Sequence, residues 1–269
     1  MKLNNLNVIL TEKEASILIT AEISQDLAHD IEAALSQIFG YYQYDAVTFR
    51  LSTPGGSLTA LTAILQTMER WRSFGRKVNT EASFQAASAG ALLLAMGEVG
   101  KRTVHPYSLL LFHHTRIGGT TSAITAGAAV RLATSLRQHD QALLKRMVDH
   151  ISDGMGGTLS LAEEGAARCE HIRKNSAQIA MALDRPALGK TDKWLSTLMK
   201  MYGICRAKAS LDNYQRYLEL RLNQDSEMDI REAYALCVID GSHRVPLLVA
   251  NASEVSSSSP PENRLKLAV

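Results

Sequence analysis

Along the first half of the chain, short runs of β-branched and aliphatic residues alternate with stretches whose apolar positions recur every three or four residues. That alternation predicts an α/β layered fold in which parallel strands are joined by crossover helices. Ser16 to Thr20 reads as a strand, and Ser24 then caps a helix carrying Leu27, Ile31, Ala34, Leu35 and Ile38 on one face. Val47 to Ser52 is a second strand, broken at Pro54-Gly55-Gly56. Ser57 there caps a helix with Leu58, Leu61, Leu65 and Met68 in line. Val78 to Phe84 is a third strand. It leads through Gln85-Ala86-Ala87-Ser88 into the apolar stretch Ala89 to Met96, short enough for a buried helix that Gly97 closes. Leu109 to Phe112 is a fourth strand.

Beyond Gly118-Gly119 the period changes, and Ile124, Val130, Leu136, Leu143, Leu144, Met147 and Ile151 describe one long amphipathic helix. A stripe of that length predicts packing against a partner. From Gly165 to Arg221 the pattern stays helical but turns basic, with eleven Lys or Arg against five acids. It reads as an appended insert whose charges face solvent. Arg231 to Asp240 reads as a helix turning into a strand. The organisation expected is a core over 1–164, a basic helical insert over 165–222, a core-completing segment over 223–250 and a tail over 251–269. The tail's SSSSPPENR composition cannot bury enough apolar surface to order itself.

At 269 residues, 46% hydrophobic and 21% charged, with mean hydropathy near zero, the chain has the composition of a globular protein that builds its own core. Lys and Arg total 29 against 27 Asp and Glu, with 6% aromatic residues, so the basic excess of a nucleic-acid binder is missing. Three cysteines without a C-x-x-C pair indicate neither a disulfide framework nor a zinc site, which suits a reducing cytoplasm. The N-terminus lacks an apolar leader and the longest apolar run is too short for a bilayer, so neither export nor a membrane is expected.

Chemistry concentrates at three places. Gly55-Gly56 follows a strand and precedes a capped helix, an arrangement that leaves backbone N–H groups facing a ligand, although an ordinary turn reads the same way. Ser88 lies between a strand and a buried helix among Ala86, Ala87, Ala89 and Gly90. Small neighbours let a substrate backbone approach, and the helix dipole with the Ala89 N–H favours an oxyanion; a plain capping serine fits the same pattern. A serine nucleophile needs a base, and His113 ends the fourth strand, where it also reads as a core histidine. Asp225 or Asp229 could orient the imidazole, and spacing alone selects neither.

The chain resembles the proteolytic subunit of Clp protease from about Ser16 to Thr120 and again from Asp225 to Asp240. Ser52-Thr53-Pro54-Gly55-Gly56-Ser57 is similar to that family's glycine-rich loop, and Gln85-Ala86-Ala87-Ser88-Ala89-Gly90-Ala91 to its nucleophile motif. Gly100-Lys101-Arg102 with Pro106-Tyr107-Ser108 and Leu109 to His113 resembles the stretch that delivers the catalytic histidine. Glu232-Ala233 with Val238-Ile239-Asp240 resembles the closing segment, and its register selects Asp225. The resemblance implies a crotonase-like spiral of ββα units with a long protruding handle helix, Thr121 to Ser152, and the helical insert as an addition. It implies a triad of Ser88, His113 and Asp225, with His114 and Asp229 as alternatives, and an oxyanion hole from the N–H groups of Gly56 and Ala89. Phe84 stands where the family usually has glycine, His114-Thr115 where it has Gln-Pro, and Cys237 where glycine is common.

The expected function is a cytoplasmic serine endopeptidase that needs no cofactor or metal and acts on peptide or protein substrates. It would assemble as a homo-oligomeric ring, stacked through the handle helix. An AAA+ unfoldase is a further implied partner, although the N-terminus does not clearly resemble the loop that engages one. The competing readings are an inactive ring or scaffold subunit and an acyl-CoA enzyme of the crotonase type. Nucleic acid and membrane are not expected partners.

Overall fold

The computed structural model describes residues 2–3, 6–114, 125–189 and 193–242. Its centre is an eight-stranded sheet: β1 (Lys2–Leu3), β2 (Leu6–Leu10), β3 (Ala15–Ile19), β4 (Ala46–Thr53), β5 (Lys77–Ala87), β6 (Arg102–Val104), β7 (Leu109–Phe112) and β8 (Ser226–Glu227). The order is β1-β2-β3-β4-β5-β7-β8, with β6 also on β5. β3, β4, β5 and β7 run parallel, whereas β1, β2 and β8 pair antiparallel at the two ends. In β4 alternate residues Val47, Phe49, Leu51 and Thr53 are buried. Each large apolar side chain buried in this way contributes about 1.5–3 kcal/mol.

The expected caps are in place. Ser24 accepts a hydrogen bond from the Leu27 N–H and starts α1 (Gln25–Leu35); Ser57 accepts from Ala60 and starts α2 (Leu58–Ser73). A π-helical turn, Ser36–Tyr41, carries Ile38 and Phe39 into the core after α1. α3 (Ala89–Ala95) is buried between the sheet and α2. The third strand runs further than the sequence pattern indicates, through Ala87, because Gln85, Ala86 and Ala87 pair with Leu109, Leu110 and Leu111.

The long helix α4 (Ala126–Gly154) corrects the expectation of a stripe left for a partner. Leu143, Leu144, Met147 and Ile151 are buried in this chain's own core, while Val130 and Leu132 in the first half are exposed. Residues 115–124, including Ile124 and the expected start of the handle, lie outside the described residues.

Helices α5 (Thr158–Lys174), α6 (Ser176–Ala182), α7 (Lys193–Lys208) and α8 (Asp212–Asn223) follow, and α9 (Ile230–Ala235) is the last helix among the described residues. The boundary read at 164/165 falls inside α5, and Leu161, Ile172, Tyr202 and Tyr214 share the common core. Of the eleven cations counted on the insert, Arg168 and Arg221 are buried and paired rather than solvated. After α9 the chain turns instead of entering the expected strand. Cys237 takes φ +55, in the left-handed region that glycine tolerates best, and Gly241 makes one isolated bridge to Thr103.

Side chains satisfy the buried carbonyls of this turn in place of a sheet ladder. Tyr202 donates to Ala235 O at 2.7 Å, Tyr214 to Leu236 O and Arg168 to Ile239 O at 2.8 Å. Asp240 is buried on Arg102, with Nε–Oδ2 at 2.8 Å and Nη2–Oδ1 at 2.7 Å, and Arg168 is 3.5 Å away. Burial opposes the carboxylate, but the bonds and charge of Arg102 and the charge of Arg168 overcome it and hold the Asp240 pKa below its ordinary value. The tail over 251–269 lies outside the described residues.

Candidate active site

Two strand pairings end next to the sequence-selected residues. β5 and β7 pair in parallel with Ala87 beside Leu111, and the Ser88 N–H donates to Leu111 O at 2.7 Å. The ladder stops there: Ser88 follows Ala87 directly, and His113 comes two residues after Leu111. β7 and β8 pair antiparallel with Leu111 opposite Glu227 and Phe112 opposite Ser226, so the following positions are His113 and Asp225. Ser88 and His113 are half-buried and Asp225 is exposed.

Ser88 does not serve as an ordinary cap. Ser24, Ser57 and Thr125 sit in extended conformations and bond backbone N–H groups of their helices. Ser88 has φ +55 and ψ −124 and makes no side-chain capping bond. Such a backbone is costly for a residue with a Cβ and is typical of a serine held on a sharp strand-to-helix turn with its hydroxyl presented outward.

The glycine-rich turn lies directly against it. A Cβ on Gly55 would stand 2.5 Å from Ala87 O and 2.6 Å from Ser88 Cβ, so only a glycine, here at φ +98, permits the approach. Thr53, fully buried, anchors the turn by donating to Ala21 O at 2.7 Å and accepting from the Gly55 N–H at 3.1 Å. Gly55 O and Ser57 N–H bond to Ile23 N–H and O. Among the described residues the N–H groups of Gly56 and Ala89 donate no hydrogen bond, which leaves both available to an incoming oxygen.

His113 Nδ1 lies 2.6 Å from the carbonyl oxygen of His114. A carbonyl only accepts, so the proton of the neutral ring sits on Nδ1 and Nε2 carries the free lone pair that a base requires. His114 Nδ1 lies 3.0 Å from Asp140 Oδ2 on α4, beside a cavity of about 260 Å³ that Arg137, Gln141 and Glu219 also line. Sequence reasoning missed Asp140, since nothing local marks a handle-helix carboxylate as a histidine partner. Asp229, the alternative to Asp225, has a different task. It caps α9 by accepting from the Arg231 N–H at 2.7 Å and pairs with the Arg231 guanidinium. Despite the desolvation from burial, those Arg231 contacts and the charge of Arg185 hold the Asp229 pKa below the ordinary carboxylate range.

The three cysteines are buried and unbonded, and burial pushes each thiol pKa up, that of Cys169 to about 12. None presents a reactive thiolate. Among the described residues no group of acids, histidines and cysteines is placed to hold a metal ion, and no helix is long and apolar enough to cross a membrane.

The strained Ser88 turn, the two undonated amides and a histidine directly after the adjoining strand thus lie close along the α/β sheet. Residues 4–153 match the family described as Clp protease. With more than half its length matched, the chain belongs to that family and shares its α/β, crotonase-like fold. It is similar to the ATP-dependent Clp protease proteolytic subunit 1 of Corynebacterium glutamicum, 38% identical over 113 residues, which cover 42% of this chain and 53% of that one. It is also similar to the ATP-dependent Clp protease proteolytic subunit 2 of Chlamydia trachomatis serovar D, 36% identical over 129 residues, or 47% and 61% of the two chains. The chain thus spans between about half and three-fifths of the length of these relatives. The family match ends before α5, so Asp225 and helices α5 to α9 lie outside it.

Proposed function

We propose that the protein is a serine peptidase of the Clp proteolytic-subunit type, with Ser88 as nucleophile, His113 as base and Asp225 as the carboxylate serving the imidazole. The observation that carries this reading is that the β5–β7 and β7–β8 ladders end at Ala87–Leu111 and Phe112–Ser226, so that Ser88, His113 and Asp225 are the residues directly next to the ladder ends. The Ser88 Oγ attacks the scissile carbonyl carbon while its proton passes to His113 Nε2. The carbonyl oxygen, now negative, is held by the N–H groups of Gly56 and Ala89. Collapse of the tetrahedral species breaks the C–N bond, and His113 returns the proton to the leaving amine. Water, activated by the same imidazole, then releases the acyl group and restores Ser88. Asp225 supplies the negative charge that favours the transient imidazolium.

Peptide or protein chains are the proposed substrates, and the relatives' name supports an ATP-driven partner. A cytoplasmic ring stacked through the exposed first half of α4 completes the proposal. Hydrolysis of a fluorogenic peptide by the full chain tests it. Ser88→Ala should abolish turnover without lowering the thermal midpoint, and a wild-type rate in that variant would refute the reading.

A second assignment rests on the His114–Asp140 pair, which is a histidine–carboxylate contact one residue from His113. His113 and His114 follow β7 directly and their Nδ1 atoms meet different partners, the His114 carbonyl and Asp140, so the two imidazoles are not equivalent candidates for the base. His113→Ala against His114→Ala separates the two: the larger loss identifies the base.

A further inference from the structure

We infer that Arg221, on the last turn of α8, is a positioning residue for the active site: it clamps both flanks of the turn that carries Asp225. This inference rests on the triad reading above. Asp225 has φ +50, a left-handed conformation that persists in a non-glycine residue only where the surroundings impose it. Those surroundings converge on one buried guanidinium. Nη1 donates to Gln224 Oε1 and to Ser226 Oγ (3.0 Å), the residues immediately before and after Asp225. Nη2 donates to Glu227 O (3.1 Å) and Glu232 Oε2 (3.1 Å), and Nε to Glu232 Oε1 (2.8 Å). All five N–H donors are used, and the Arg221 carbonyl also accepts from the Gln224 N–H at 3.1 Å.

The counter-charge is fixed in turn. Glu232 is 4% exposed and accepts from the Tyr217 hydroxyl at 2.7 Å. Burial, then the neighbouring Glu232, pushes the Tyr217 pKa up, so its hydroxyl remains a donor. Glu232 belongs to α9 and Arg221 to α8, while Ser226 and Glu227 form β8, the strand that pairs with Leu111 and Phe112. The clamp therefore ties two helices to the strand that starts directly after Asp225 and pairs with β7, which ends directly before His113. It is built entirely from residues beyond the family match. In this chain α8 accordingly has a task at the active site that an appended surface insert would not have. Lysine cannot replace arginine, because a single ammonium has neither the planar fork nor five donors.

The experiment measures the rate of Ser88 acylation by a fluorophosphonate in the full chain. The variants are Arg221→Lys, the pair Gln224→Ala/Ser226→Ala, Asp225→Asn, and Arg221→Lys combined with Asp225→Asn. The paired variant keeps the buried Arg221–Glu232 ion pair, so it decides the question if Arg221→Lys fails to fold. Misplacing an active-site group by about 1 Å is costly, so Arg221→Lys and the paired variant should each slow acylation about tenfold or more. In the Asp225→Asn background Arg221→Lys should slow it by less than about twofold, because residues acting through one group are not additive. Wild-type rates in the Arg221→Lys and paired variants, or equal losses in both backgrounds, would overturn the clamp alone. A wild-type rate for Asp225→Asn would overturn the triad reading, and the clamp's role would fall with it.

Discussion

Gly55 touches Ser88 so closely that there is no room for a methyl group between them: a Cβ on Gly55 would stand 2.6 Å from Ser88 Cβ. The glycine-rich turn is the wall against which the strained serine is set, and the Gly56 N–H follows directly from it.

Gly55→Ala should therefore displace Ser88. The clash with Ala87 O and Ser88 and the positive φ predict a loss of roughly 1–3 kcal/mol in stability. Peptide turnover should fall by about a hundredfold, since the nucleophile and the oxyanion amide move together. Urea denaturation and turnover by the same variant check both outcomes.

Ser88 itself stores strain. Removing its side chain relaxes φ +55, ψ −124, so Ser88→Gly should exceed Ser88→Ala in stability by roughly 1 kcal/mol, both being inactive. Equal denaturation midpoints for the two variants would mean that the backbone at this turn is unstrained.

His150 on α4 offers a pH test of stability. Its Nε2 lies 2.8 Å from Gly97 O, and burial, then the Arg72 charge, lowers its pKa from 6.5 to about 4. The unfolded chain binds this proton near pH 6.5 and the folded chain only near pH 4, so the stabilisation is complete above 6.5 and is lost as pH falls through that window. The shift corresponds to roughly 2–4 kcal/mol. His150→Gln should lose less of its thermal midpoint between pH 7 and pH 5 than the wild type; an equal loss would count against this histidine as the cause.

Assembly is expected through the exposed half of α4. Val130 is 65% exposed, whereas Leu143 is 7% exposed and lies in the core. Val130→Asp should lower the mass seen by light scattering while leaving the thermal midpoint unchanged. Leu143→Asp should destabilise the fold instead, by introducing a buried charge. An unchanged mass for Val130→Asp together with Leu132→Asp would exclude stacking through this segment.

What could be read from the sequence was local. Ser24 and Ser57 announce their helices because a cap and its apolar face lie within a few residues of each other. Ser88, Gly55 and His113 stood out through short motifs at strand ends. The long-range pairs were not legible, because Arg221 with Glu232, His114 with Asp140 and Arg102 with Asp240 meet only once the sheet and helices have packed. Periodicity showed that Leu143 and Ile151 lie on an apolar face but not that α3 and α8, rather than a second subunit, pack against their helix. Arg231 to Asp240 suggested a helix turning into a strand; tyrosine and arginine side chains from α5, α7 and α8 instead bond the carbonyls of Ala235, Leu236 and Ile239.

The most direct test is the site of fluorophosphonate labelling in the full chain, read by mass spectrometry. Only a hydroxyl beside a base and an oxyanion hole is strongly activated. The label should fall on Ser88 and no other serine, disappear in His113→Ala, and weaken modestly in His114→Ala. Equal labelling of the wild type and Ser88→Ala would contradict the account.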